Sequence, residues 1–162
     1  MKTIEIEVAI ANHFDPIVNL IVPNVSWGFH IHECDLLIIS KSGFLTEVEI
    51  KVSKADLIKD KQKLHNHSDR RIKHLYFAIP FELIKYKDLI PDRAGILAVV
   101  RQHIIYRSYS GDNKISQSSY YRAYEIRPAK KNKTEPISDT DRYNIARLGT
   151  MRIWSLKKKL LV

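Results

Sequence analysis

Residues 33–51 read ECDLLIISKSGFLTEVEIK. Two runs with strand-like alternation flank the turn-forming cluster Ser40-Lys41-Ser42-Gly43, so the stretch predicts a β-hairpin over Glu33–Ser40 and Phe44–Val52. A three-residue loop Lys41-Ser42-Gly43, with glycine in the left-handed position, is a common hairpin connection and pairs Ser40 with Phe44. That register sets Asp35 opposite Glu49 and Glu33 opposite Lys51, with partner Cβ atoms about 4.5–5.5 Å apart. A slip of one residue would send Asp35 and Glu49 to opposite faces. One face carries Glu33, Asp35, Glu47, Glu49 and Lys51 at its far end, and Leu37, Ile39 and Leu45 near the turn. The other, with Cys34, Leu36, Ile38, Val48 and Ile50, predicts the core-facing side. On most hairpins an acidic face is simply solvated. Here its apolar turn end favours a half-buried pocket.

Two carboxylates side by side repel, and the cost grows as water is removed. A divalent cation is the simplest compensation, and hard oxygen ligands suit magnesium or manganese. Lys51 points into the same place, where it could act on a metal-bound water and stabilise a pentavalent phosphate. The chain around this hairpin has 162 residues, 44% of them hydrophobic and 28% charged, enough for one ordinary domain. Its single cysteine, Cys34, excludes an intramolecular disulfide and fits a reducing cytoplasm. Met1-Lys2-Thr3 leads into Glu5 and Glu7 without a leader pattern, and no apolar run approaches the roughly 20 residues of a membrane span. A net charge of +9 favours a polyanionic partner such as nucleic acid.

Upstream, Thr3–His13 predicts a helix capped by Thr3 with Ile4, Val8 and Ala11 on one stripe, although Ile4–Val8 alternation equally permits a strand. Ile17–Val22 is an apolar segment ending at Pro23-Asn24, and a short strand is expected around Val25–Ile31. Downstream, Ser53 and Asp56 announce a helix running to about Leu64. His74–Ile79 and Ile96–Val100 read as buried strands separated by a helical Phe81–Leu89. His103–Tyr109 and Tyr120–Arg127 predict a second hairpin around Ser110–Asn113. Ala129–Pro136 is a basic linker to a final helix capped by Ser138 or Asp139, with Ile145, Gly149, Ile153, Leu156 and Leu160 on one stripe. Nine Lys/Arg against three acids fall in residues 129–162.

Asp35, a hairpin and then Glu49-Ile50-Lys51 resembles the PD-(D/E)xK signature of the restriction-endonuclease-like nucleases. The run EVEIKVSKADLIKDKQK (47–63), with HLYFAIP (74–80) and GILAVV (95–100) after it, is similar to the MmcB-type DNA-repair branch of that superfamily. The resemblance spans roughly Val25–Val100. It implies an α/β fold with a mixed sheet: an αβββαβ core, to which this chain adds a β-hairpin and a C-terminal helix. Residues 1–128 would form the nuclease-like domain and residues 129–162 an appendage. It also implies Mg²⁺-dependent cleavage of DNA phosphodiester bonds, with Mn²⁺ as a substitute. Asp35 and Glu49 take the metal carboxylates' places, the Ile50 carbonyl that of a further ligand, and Lys51 that of the catalytic lysine. Cys34 stands where the motif's proline often stands.

Glu33 and Glu47 are further candidate ligands, and Glu5 or Glu7 could enter from the first helix. Asp56 and Asp60 are one turn apart on the helix that follows the hairpin, and Asp56 better suits the helix N-terminus than a metal. Lys54, Lys61 and Lys63 are candidate phosphate contacts, and His65 and His67 lie near that helix's end. Zinc lacks cysteine partners, and Trp27-Gly28 suggests packing at a tight bend. The C-terminal helix could extend a phosphate track or join two copies of the chain. A nuclease-fold module that binds DNA or a protein with little turnover is the competing reading. Nothing in the residues reads a 2′-hydroxyl, so DNA rather than RNA rests on the resemblance.

Overall fold

The computed structural model of the chain describes residues 1–25, 33–61, 69–107 and 115–161. Among these, helix α1 (Thr3–Phe14) precedes strands β1 (Leu20–Val25), β2 (Cys34–Ile39) and β3 (Leu45–Ile50), then helix α2 (Lys54–Lys61). Strand β4 (Ile72–Pro80), a 3₁₀ helix (Phe81–Leu89), the long strands β5 (Gly95–Arg107) and β6 (Ile115–Arg127) and helix α3 (Asp139–Lys159) follow. The six strands form one mixed sheet in sequence order. β3, β4 and β5 run parallel, joined through α2 and the 3₁₀ helix, and the outer pairings are antiparallel. This is an α/β fold containing the expected αβββαβ order, an added hairpin and a long C-terminal helix.

Ile38 pairs with Thr46 and Ile39 with Leu45, the register expected from the loop. Gly43 has φ +84°, its N–H donates to the Ser40 carbonyl at 2.9 Å, and Ser40 N–H donates to the Phe44 carbonyl at 3.0 Å. Both faces of the sheet are covered, so the acid-bearing face is also a core face. On one side α1 packs Ile6, Ala9 and Ile10 onto Leu36, Ile38, Val48, Ile50, Ala78, Leu97 and Val99. The opposite side carries two clusters. Ile145 of α3 covers Val22, Leu37, Ile39, Leu45 and Ile72. Leu57 of α2 joins Leu75, Phe77, Ile79, Ile90, Ala94 and Ile96. β3 runs between these clusters, which buries its Glu47, Glu49 and Lys51.

Several expectations change. The buried stripe of α1 is Ile6, Ala9 and Ile10, while Ile4 and Val8 are exposed. Both stripes are apolar, and the one continued by half-buried Phe14 wins. The helix starts after Lys2, whose N–H donates to the Glu5 carboxylate at 2.6 Å, so Thr3 is not its cap. β1 continues through Pro23, which an edge strand tolerates. Cys34, at the first position of β2, groups with Val22, Val25 and Leu37 rather than with Leu36 and Ile38. Ile96–Val100 and His103–Tyr109 are not separate strands, since β5 is unbroken from Gly95 to Arg107. Only the first half of α3 packs: Ile145 is buried and Gly149 lies against Val22, whereas Ile153, Leu156 and Leu160 are exposed. The stripe outruns the sheet.

Ala129–Pro136 is pinned rather than loose. Lys130 and Asn132 N–H groups donate to the Arg93 and Lys73 carbonyls, both at 2.9 Å, and Asn132 Nδ2 donates to the Ile72 carbonyl at 2.9 Å. No helix among the described residues is long and apolar enough to cross a membrane. The expectations placed on residues 26–32, the turn at Ser110–Asn113, Lys63, His65 and His67 lie outside the described residues.

Candidate metal and phosphodiester site

At the end of β3 the register sets Asp35 beside Glu49. Lys51 N–H bonds across to the Ala78 carbonyl of β4 at 3.0 Å. Strand geometry therefore turns the Ile50 main chain toward β2, where its N–H donates to Asp35 Oδ2 at 2.7 Å. The Ile50 carbonyl shares that side, and its side chain is buried under α1. Lys51 Nζ donates to Glu49 Oε2 at 2.6 Å and lies 2.8 Å from Asp60 Oδ1. It also stands 5.7 Å from the Phe77 ring centroid.

These charges are deeply placed: Glu49 is 2% exposed, and Lys51 and Asp60 are 6% exposed each. Burial pulls the Lys51 pKa down, but Glu49 and Asp60 together outweigh it and leave the ammonium raised above its ordinary value. It is protonated at neutral pH. Burial raises the Glu7 carboxyl of α1, and the charge of Asp35 adds to the shift. Of the first-helix carboxylates, Glu7 is thus the one that feels the charge of Asp35. Glu5 instead accepts from Lys2 N–H and from Tyr121 Oη at 2.6 Å.

A cleft of about 340 Å³ opens here, lined by Glu33, Asp35, Glu49, Ile50, Lys51, Asp56, Lys59 and Asp60. Five carboxylates against two lysines form a hard-oxygen donor set suited to magnesium or manganese. Among the described residues no three carboxylate, histidine or cysteine side chains converge closely enough to hold an ion as they stand. The Lys51 ammonium already neutralises Glu49. The lining therefore suits a divalent ion in donor type, while the side chains as they stand leave Glu49 engaged by Lys51.

The expected Glu33, Asp35, Glu49, Ile50 and Lys51 come together at this cleft. Glu47 is fully buried and does not line it. Asp56 serves the helix start, its N–H donating to Ser53 Oγ at 3.2 Å and its carboxylate accepting from that hydroxyl at 2.8 Å. Lys54 is exposed with Nζ 4.9 Å from the Tyr86 ring centroid, and Lys61 is exposed at the end of α2; neither lines the cleft. Sequence reasoning noted Asp60, one turn beyond Asp56, without giving it a role, and missed Lys59. Asp60 lies three residues beyond the buried Leu57 on the same helix face, and an acid on an inward face was the available signal.

No protein family and no curated protein matches this chain. A solved structure does: "SPO1766 protein of unknown function from Silicibacter pomeroyi". Its TM-score is 0.59 at 15% identity, with 99% of this chain and 89% of that chain covered. The chain is similar to that protein in fold.

Proposed function

We propose that the chain is a metal-dependent nuclease of the PD-(D/E)xK type, similar to MmcB-type DNA-repair proteins, that hydrolyses DNA phosphodiester bonds. The observation that carries this reading is the register-fixed grouping of Asp35, Glu49 and Lys51 beside the Ile50 main chain, in one acidic cleft. Asp35, Glu49 and the Ile50 carbonyl would hold Mg²⁺, or Mn²⁺ in its place, with Glu33 and Glu7 near enough to adjust the site. The chemistry such an ion supplies is a more acidic water and positive charge at phosphoryl oxygens. Lys51, protonated between its carboxylates, is suited to donate to the phosphate or to hold the water, and not to abstract its proton. Lys59 borders the cleft and can meet the backbone of the nucleic acid. The basic residues of α3 could extend that track. A reduced, buried Cys34 accords with the cytoplasm.

The second reading is a nuclease-fold module that binds DNA with little turnover. The closure of Lys51 between Glu49 and Asp60 favours it. The two separate on incubation of the protein with linear, nicked, branched and single-stranded DNA plus Mg²⁺ or Mn²⁺. Cleavage by the parent and none by Asp35→Ala supports the nuclease. Binding to DNA without cleavage under any of these conditions supports the module.

A further inference from the structure

The two edges of the sheet are treated differently. β1 is guarded: Pro23 interrupts its hydrogen-bonding capacity, Asn24 adopts φ +48°, and α3 packs against it. β6, the other edge, runs thirteen residues without proline. It pairs regularly with β5 from Ile115 as far as Glu125. A groove of about 550 Å³ follows its open side, bordered by six consecutive residues, Tyr120–Glu125, and walled by Ala9, Asn12 and His13 of α1. Six consecutive residues include both faces of the strand, so the outer edge of β6, which pairs with no other strand among the described residues, borders the groove. α1 packs on one face of β6 and a bulge falls at Ile126, but the main-chain edge from Ile115 to Glu125 is long and free of proline, and such edges template a further strand.

We propose that this strand is β6 of a second copy, joined antiparallel about a twofold axis at Ala123. Partners facing each other must lie on the same face of the continued sheet, which forbids half of the possible registers. Centring on Arg122 or on Glu125 would set like charges directly opposite, which is unfavourable. Centring on Ala123 puts the smallest side chain of the segment at the axis. Arg122 then faces Tyr124 of the copy, and Tyr121 faces Glu125. The Arg122–Tyr124 pair is favourable and occurs twice. Within one chain the Arg122 guanidinium already lies 5.4 Å from the Tyr124 ring centroid, two residues along the strand. Cross-strand partners are closer than that spacing, about 4.5–5.5 Å against about 6.8 Å between Cβ positions.

Exposure supports the same surface. Tyr120 and Tyr124 are 39% and 37% exposed on the face opposite α1. Gln102 bonds both tyrosine hydroxyls and holds the rings in place. On the α1 side, Ile4 and Val8 are exposed on the helix that walls the groove. A self-pairing through the exposed half of α3 is less favourable, since Arg147 and Lys157–Lys159 would gather positive charge with no acid beyond Asp141, and Arg152 already donates to the Asn24 carbonyl.

Light scattering coupled to size exclusion, on the full chain over a dilution series, tests this. The parent is expected at twice 18.9 kDa. Tyr124→Lys, which sets lysine opposite arginine twice, is expected to weaken the dimer about tenfold or more. Tyr124→Glu keeps it within a few-fold, and Arg122→Glu combined with Tyr124→Lys restores it. Circular dichroism checks that each variant keeps the fold. A parent that stays monomeric at its highest concentration overturns the proposal. So does a dimer indifferent to the Tyr124→Lys change, which would lie on another surface, or equal loss in the lysine and glutamate variants.

Discussion

Lys51 is a cation enclosed by Glu49 and Asp60 inside a protein core, and its removal leaves two carboxylates facing each other out of water. Breaking a buried pair from one side costs about 3–5 kcal/mol. Lys51→Ala should therefore lower stability by that order in chelator, and added Mn²⁺ should return part of it by binding the folded state. Urea unfolding with and without Mn²⁺ measures both effects; a variant as stable as the parent would show that the triad is not coupled. Asp60 holds Lys51 without being a proposed ligand. Asp60→Asn should cut cleavage about 10- to 100-fold while leaving the Mn²⁺ affinity unchanged, the pattern of a positioning residue. Loss of Mn²⁺ affinity would make Asp60 a ligand instead. Cys34 is 1% exposed, and burial, then Glu47, Glu49 and Asp35, push its thiol far up. It should resist alkylation in the native protein and react in denaturant, read by mass spectrometry. Labelling of the native protein as fast as of the denatured one would refute this burial.

Gly43 fixes the hairpin on which the site depends. Its φ of +84° is strained for other residues, and a Cβ there would lie 3.0 Å from an Arg142 nitrogen and 3.1 Å from Pro136 Cβ. Gly43→Ala should cost about 1–3 kcal/mol in thermal or urea unfolding. A neutral outcome would mean that the turn relaxes without penalty. This turn is also why the hairpin register was legible in the sequence: loop length and glycine position admit one pairing, and alternation then assigns the faces. Less legible was α1, whose two apolar stripes are equivalent until the sheet chooses one. In α3 the helical stripe was visible but its extent was not, because the apolar contact with β1 ends at Gly149 and only Arg152, donating to the Asn24 carbonyl, meets the strand beyond it. Its exposed basic end makes a separate prediction. Changing Lys157, Lys158 and Lys159 to Gln should weaken DNA binding and flatten its salt dependence, with about 0.9 lost from the slope per phosphate contact removed. Unchanged affinity and slope would leave the helix outside any DNA track.

The fold brings an acid from β2, an acid and a lysine from β3 and an acid from α2 to one cleft, because the parallel β3–α2–β4 crossover lays α2 over the end of β3. The strand partners were readable from sequence, since both belong to one hairpin. Asp60 was not, because its approach depends on how α2 lies across the sheet, which spacing along the chain does not encode. The pinned linker was hidden for the same reason: its Asn132 and Lys130 meet strand ends far away in sequence. On the proposed reading, the Lys51 ammonium and an external cation would compete for Glu49. Calorimetric titration of Mn²⁺ into the parent, Glu49→Gln and Lys51→Ala measures that competition directly. The parent should bind, Glu49→Gln should lose binding, and Lys51→Ala should bind at least as tightly as the parent because its competitor is gone. A parent that takes up no Mn²⁺, or a Glu49→Gln variant that binds as well as the parent, would contradict a metal site at Asp35 and Glu49.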